Sequence, residues 1–197
     1  MRLFLRVLML SCFSAVAGCN TARQPEELRP TATVKDIMDS IVDPSADVLW
    51  ESVATIVTAE GTEERAPKTD EEWTNVRRHA VQLVEASNLL LIKGRHVARP
   101  GERSENAKIE LEPEEIESLI DKDWNTWTRL ALALHDATMP AFDAIQAKNA
   151  QGLWDAGEGI DTACENCHLK YWYPNSGPPL GSVPLPRTIN GAEGGRR

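Results

Sequence analysis

Two cysteines three residues apart, followed at once by a histidine, are the side chains of this sequence best suited to chemistry: Cys164-Glu165-Asn166-Cys167-His168. On a helix the two thiols lie one turn apart and reach two points along one edge of a flat ligand. The histidine directly after the second cysteine then projects toward the centre of that ligand. This is the C-x-x-C-H pattern of c-type haem attachment, in which both thiols bond to the haem edge and the imidazole takes an axial place on the iron. The sequence therefore predicts one covalent haem c, held by Cys164 and Cys167, with His168 as an iron ligand.

Three other chemistries use the same residue types. A structural zinc site needs four ligands. Only His79, His96 and His135 remain to complete one, and none of them shows paired spacing. A thiol–disulfide oxidoreductase places its cysteine pair at a helix start, after a strand, in an alternating strand–helix pattern. Here the pair falls late in a helical segment. A bare disulfide would give His168 no role.

The elements that must position the motif are helices. Thr33 with Asp36 opens the first as a capping box. Its apolar residues Val34, Ile37, Met38, Ile41 and Val42 resume beyond Asp43-Pro44 as Val48, Leu49, Val53, Ile56 and Val57. This predicts one kinked helix, or two nearly collinear pieces, over 33–58. Thr69 with Glu72 opens a second helix, striped by Trp73, Val76, Ala80, Leu83, Val84, Leu90 and Leu91 and stopped by Gly94. A third begins at Glu112-Pro113 and keeps its phase through Ile116, Ile120, Asp123, Trp127, Leu130, Leu134 and Ala141, with a kink expected at Pro140. A fourth runs from about Ala150 to Trp172, with Leu153, Gly157, Ile160, Cys164, Cys167 and Tyr171 facing inward. No segment alternates with period two, so no sheet is expected. The fold class is all-α, an up-down-up-down four-helix bundle over 33–173 with the haem near the end of the last helix.

A helical bundle with C-x-x-C-H near the end of its last helix resembles cytochrome c prime and its low-spin four-helix-bundle relatives. The resemblance covers about residues 33–173, and only the motif at 164–168 is strongly specific. It implies single-electron transfer without substrate turnover, so a carrier and not an enzyme. It also implies redox partner proteins, a possible homodimer, and an aromatic residue against the haem three positions after the histidine, here Tyr171. Trp172 stands where family members often carry a basic residue, and the chain departs from the family there. The family offers a second behaviour, a five-coordinate high-spin haem that binds nitric oxide or carbon monoxide.

Which behaviour applies turns on the sixth ligand. In an antiparallel bundle the start of the first helix lies beside the end of the last, which brings Met38 to about the height of His168. The resemblance points to the same place, where members carry a ligating methionine or an occluding apolar residue. Met38 reads either as the sixth metal ligand, giving a low-spin carrier, or as a core methionine. Met139, His79 and His135 fit the role less well. His96 lies in a loop, and Lys35, one turn before Met38, reads as a solvated lysine or as a contact for a haem propionate.

The rest of the chain concerns export. Arg2 and Arg6 precede an apolar run, Val7 to Ala17, too short to span a bilayer comfortably. Val16-Ala17-Gly18-Cys19 resembles the lipobox of bacterial lipoproteins, with cleavage before Cys19 and acylation of its thiol. This predicts a signal peptide over 1–18, a lipid-anchored tether over 19–32, and a place in the periplasm on a membrane, the outer one favoured by Asn20. Losing segment 1–18 removes two basic and no acidic residues, taking the net charge from −9 to about −11. That acidity argues against a nucleic-acid partner, which requires basic patches. Residues 174–197 are rich in proline and glycine and are expected to form a disordered tail.

Overall fold

The computed structural model describes residues 28–59 and 61–176. Residues 1–27, which include the expected signal peptide and Cys19, together with Glu60 and residues 177–197, lie outside the described residues. Helices dominate: α1 (Val34–Ile37), a π-helical turn (Met38–Val42), α2 (Asp43–Ser52), α3 (Asp70–Leu89), α4 (Pro113–Lys122), α5 (Trp124–Gln146) and α6 (Ala150–Tyr171). Two short strands, β1 (Ala54–Thr58) and β2 (Gly61–Arg65), stand between α2 and α3.

The first helical stretch begins where its capping box sets it. Thr33 Oγ1 accepts the Asp36 N–H at 3.0 Å, and Asp36 Oδ2 accepts the Thr33 N–H at 2.9 Å. Beyond Ile37 the helix widens to a π turn, in which the Asp43 N–H donates to the Met38 carbonyl. Pro44 explains the widening. It has no N–H for the Ser40 carbonyl and its ring crowds the preceding turn, which one extra residue accommodates.

Three expectations need correction. The first helix ends at Ser52, not at 58, and its last predicted turn is a strand. β1 pairs antiparallel with β2, from Ala54 opposite Arg65 to Thr58 opposite Gly61. Thr55, Ile56, Val57 and Thr58 are β-branched and lose rotamer freedom in a helix, so the pleated ribbon is their better state. The third helix is two helices. Asp123 leaves helical geometry (φ −140°, ψ 66°) and caps α5, its Oδ1 accepting the Thr126 N–H at 3.1 Å. α3 stops at Leu89, and Gly94 follows in the left-handed region at φ 77°. Pro140 lies inside α5, which continues through it.

α5 packs between α3 and α6. α2 lies on α3 and touches α6 more lightly along its other side. Ile37, Leu49, Leu83, Ile116 and Ile160 are the largest fully buried side chains of the shared core. Residues 95–112 form a strap across one end. The Val34 and Lys35 N–H groups donate to the His96 and Val97 carbonyls, both at 2.9 Å, Arg99 pairs with Asp36, and the Leu111 N–H donates to the Trp172 carbonyl at 2.8 Å. The strap thereby joins the start of α1 to the end of α6. Among the described residues no helix is long and apolar enough to cross a membrane.

The caps carry a pH dependence. Asp36 is held below the ordinary carboxylate range first by the Thr33 N–H, and Glu72 by the N–H groups of Lys68 and Thr69. Depressed folded-state values stabilise the protein above about pH 4.5, where the unfolded carboxylates are ionised. That contribution is lost as pH falls through the lower folded values. Thermal melts should therefore drop between about pH 4.5 and 3. Thr33→Ala should lower stability by about 1 kcal/mol at neutral pH and lessen the acid-side fall.

Candidate functional site

α6 is built to present residues 164–168 on a rigid support. Asn149 caps it, its Oδ1 accepting the Gly152 N–H at 3.1 Å, and Leu153, Ala156, Ile160 and Ala163 bury the stripe that packs into the core. Gly157, Asp161, Cys164 and His168 follow one another by three or four residues, so they share the adjacent face. That face turns to the first helical stretch. The Trp50 Nε1 donates to the Gly157 carbonyl at 3.3 Å, and a Cβ at 157 would meet the Trp50 ring at 3.1 Å. Glycine is thus what lets the indole lie across α6.

Cys164 and Cys167 are free thiols. Burial pushes both up to about 12, and at Cys164 the carboxylates of Asp43, Asp161 and Glu165 add to the effect. Their place in the last turns of α6, where the helix dipole is negative, disfavours a thiolate as well. Redox-active cysteine pairs need the reverse, a lowered thiol at a helix start. Thiols shifted this way disfavour the thiolate that disulfide exchange requires.

His168 is held below its ordinary value by burial, against the opposing pull of Glu165 and Asp43. A neutral imidazole keeps one nitrogen lone pair, which is what ligation requires. No hydrogen bond to another described residue engages its ring. The Tyr173 ring stands 5.8 Å from it, and the Tyr173 hydroxyl donates to Glu165 Oε2 at 2.7 Å.

Across the seam, the group that faces Cys164 and His168 is Asp43. Its carboxyl is pushed up by partial desolvation and by Asp39 and Asp47, while His168 pulls it down. The antiparallel register follows: seven residues back from Trp50 to Asp43 match seven forward from Gly157 to Cys164. Five residues before Asp43 stands Met38, the first residue of the π turn, half-buried against the core. The same register carries Met38 to the level of the turn that follows His168.

Tyr171 packs into the core, 2% exposed, with its ring edge-on to Trp127 at 5.3 Å. Among the described residues its hydroxyl is buried without a hydrogen-bond partner, as is Asn166 Nδ2, and burial pushes the phenol up to about 12. Two orphaned polar atoms within five residues of each other are costly in a finished interior. Lys35 pairs with Glu105 on the strap at 3.5 Å. His96 pairs with Glu117 and is largely exposed, Met139 is 41% exposed, and His135 Nδ1 lies 3.1 Å from Asp136. His79 is half-buried, its Nδ1 without a partner. Cys19 lies outside the described residues.

The sequence reading missed Asp43, taken only as part of a helix break, and the Tyr173–Glu165 pair, placed beyond the last useful helical residue. Among the described residues no three His, Cys, Asp or Glu side chains converge on a point where a metal ion could sit. Beside the motif, a groove of about 450 Å³ lies between α2 and α6, walled by Trp50 and Trp154, with Asp161 at its near end. No protein-family model, no curated protein and no solved structure matches this chain.

Proposed function

We propose that the chain is a monohaem c-type cytochrome that carries single electrons, its helices forming an up-down-up-down four-helix bundle. One observation carries this reading. Two free thiols one turn apart, both shifted away from the thiolate by burial, stand beside an imidazole whose ring has no hydrogen bond to another described residue, on the face of α6 turned to α2. Burial that disfavours a thiolate is no obstacle to a neutral thioether, so the thiols fit covalent attachment better than redox exchange. A lone pair with no competing hydrogen bond fits axial ligation. The orphaned Tyr171 hydroxyl and Asn166 amide are consistent with an interior completed by a further group.

In this reading Cys164 and Cys167 hold the haem, His168 and Met38 ligate the iron, and Tyr171 packs beside the motif. Bound haem supplies a one-electron couple between two iron oxidation states. The protein's own part is to exclude water with the Trp127–Tyr171 core, to keep His168 neutral, and to set the local field through Asp43 and Glu165. Redox proteins are the partners. The lipobox-like cysteine, Cys19, anchors the domain to a periplasmic membrane surface, the outer membrane in preference to the inner.

The test is the optical spectrum of the chain matured with haem in an exporting bacterium, oxidised and reduced. We expect covalent haem that survives denaturing electrophoresis and a low-spin ferric spectrum with the near-red methionine band. A high-spin spectrum that shifts with carbon monoxide would replace the carrier with a gas-binding protein. Absence of covalent haem would overturn both.

A further inference from the structure

We infer that the groove between α2 and α6 is the docking site for this chain's own segment Pro184-Leu185-Pro186-Arg187. Four observations converge on it. The groove is apolar at its walls, where Trp50 lies across Gly157 and Trp154 stands 52% exposed, and acidic at its rim, where Glu158 and Asp161 stand. An indole half in solvent beside a groove of about 450 Å³ is a surface built for a flat, apolar partner.

The contacts at the end of α6 point back along it. Beyond Trp172 the Tyr173 hydroxyl reaches back eight residues to Glu165, and the Ser176 N–H closes a turn on the Tyr173 carbonyl. Glu165, Asp161, Glu158 and Trp154 are spaced by three or four residues, so they form one stripe of α6. Tyr173 already lies at the head of that stripe.

The length fits. From Pro174 back to Glu158 is roughly 24 Å of helix, and to Trp154 roughly 30 Å. An extended proline-rich segment covers those distances in about eight and ten residues. Counted from Ser176, where the turn ends, they reach Pro184 and Pro186.

The chemistry fits as well. Polyproline-type segments need no internal hydrogen bonds and dock their rings on aromatic walls, which Trp50 and Trp154 supply. Arg187 is the first basic residue after Lys170, and it arrives beside Glu158 and Asp161. A guanidinium there gains charge-assisted hydrogen bonds and a stacking face on Trp154. Residues 177–197 carry three arginines and a single acid in an otherwise acidic protein.

Two measurements on the full-length chain test this. With Arg187→Lys, a zero-length carbodiimide should join position 187 to Glu158 or Asp161, as read by peptide mapping. In hydroxyl-radical footprinting, Trp154 should react several-fold more in Arg187→Glu than in the unsubstituted chain, with exposed Met139 unchanged as internal standard. Mixing isotopically labelled and unlabelled chains identifies the occupant: cross-links within one chain support the inference, and cross-links between chains assign the groove to a second copy and overturn it. Equal Trp154 reactivity in both proteins, with no cross-link to Glu158 or Asp161, would overturn it too.

Discussion

Replacing Cys164 and Cys167 together with alanine should abolish covalent haem, from one per chain to none after denaturing electrophoresis. Each single replacement should leave one thioether and a reduced yield. The argument rests on elimination among four cysteines. Cys12 and Cys19 lie in and directly after the segment read as an export signal, and no other cysteine remains. The variant should still fold. Alanine is the best helix former and both positions lie inside α6, so the helix gains propensity while the core loses two half-buried sulfurs. Circular dichroism should therefore stay helical while the haem band disappears. Haem still covalently bound in the double variant would mean that another side chain makes the attachment.

The second large effect belongs to Met38. Met38→Ala should convert a low-spin ferric spectrum to high-spin, remove the near-red methionine band and open the iron to carbon monoxide. The reduction potential should fall by on the order of 0.1 V, a fraction of the ~0.8 V over which axial ligands set haem potentials. Alanine also removes packing, since Met38 lies half-buried against the core. Met38→Leu separates the two effects. It keeps the volume at a cost below about 1.5 kcal/mol but supplies no sulfur. If ligation is the role of Met38, leucine and alanine give the same spectrum. An unchanged low-spin spectrum in Met38→Leu would end the His168/Met38 assignment.

How much of this was legible in the sequence depends on what each residue was asked to report. Capping boxes report a local hydrogen-bond exchange. Thr33 with Asp36 and Thr69 with Glu72 are present as read, because four consecutive residues contain all the physics. The hairpin was hidden by coincidence of phase. Val53, Ile56 and Val57 continue the helical spacing of Leu49, and every described side chain of β2 is exposed, so no alternation of burial marks the strand. The break at Asp123 was hidden because α4 and α5 pack on one core, and the apolar spacing runs through the change of direction. A residue that caps a helix and a residue on its polar flank look alike until the backbone angle is known.

The helix that carries residues 164–168 was legible, since its spacing and its stop signal are local. Its surroundings were not. Gly157 and Cys164 read as core positions, whereas they form the face of α6 turned toward α2, with the deeper stripe passing through Ala156 and Ala163. A helix with two neighbours buries a band wider than one apolar stripe, and sequence periodicity reports only its centre. Asp43 could not be found this way at all. Its importance lies in being opposite His168, more than a hundred residues away, and a single sequence carries no signal of that pairing.

The strap over 95–112 gives the molecule an order of assembly. It takes hold of Val34 and Lys35 on one side and of Trp172 on the other, joining segments separated by about sixty residues each. Trp172 directly follows α6, the last of the helices in chain order, so the clasp cannot shut until all of α6 has been synthesised. Loops of that span close late, because their entropy must be overcome before their contacts stabilise anything. Until then the final turns of α6 are open on the side the strap will cover. Any maturation reaction at Cys164 and Cys167 has its natural interval there, after α6 has formed and before the clasp closes over the end of the seam.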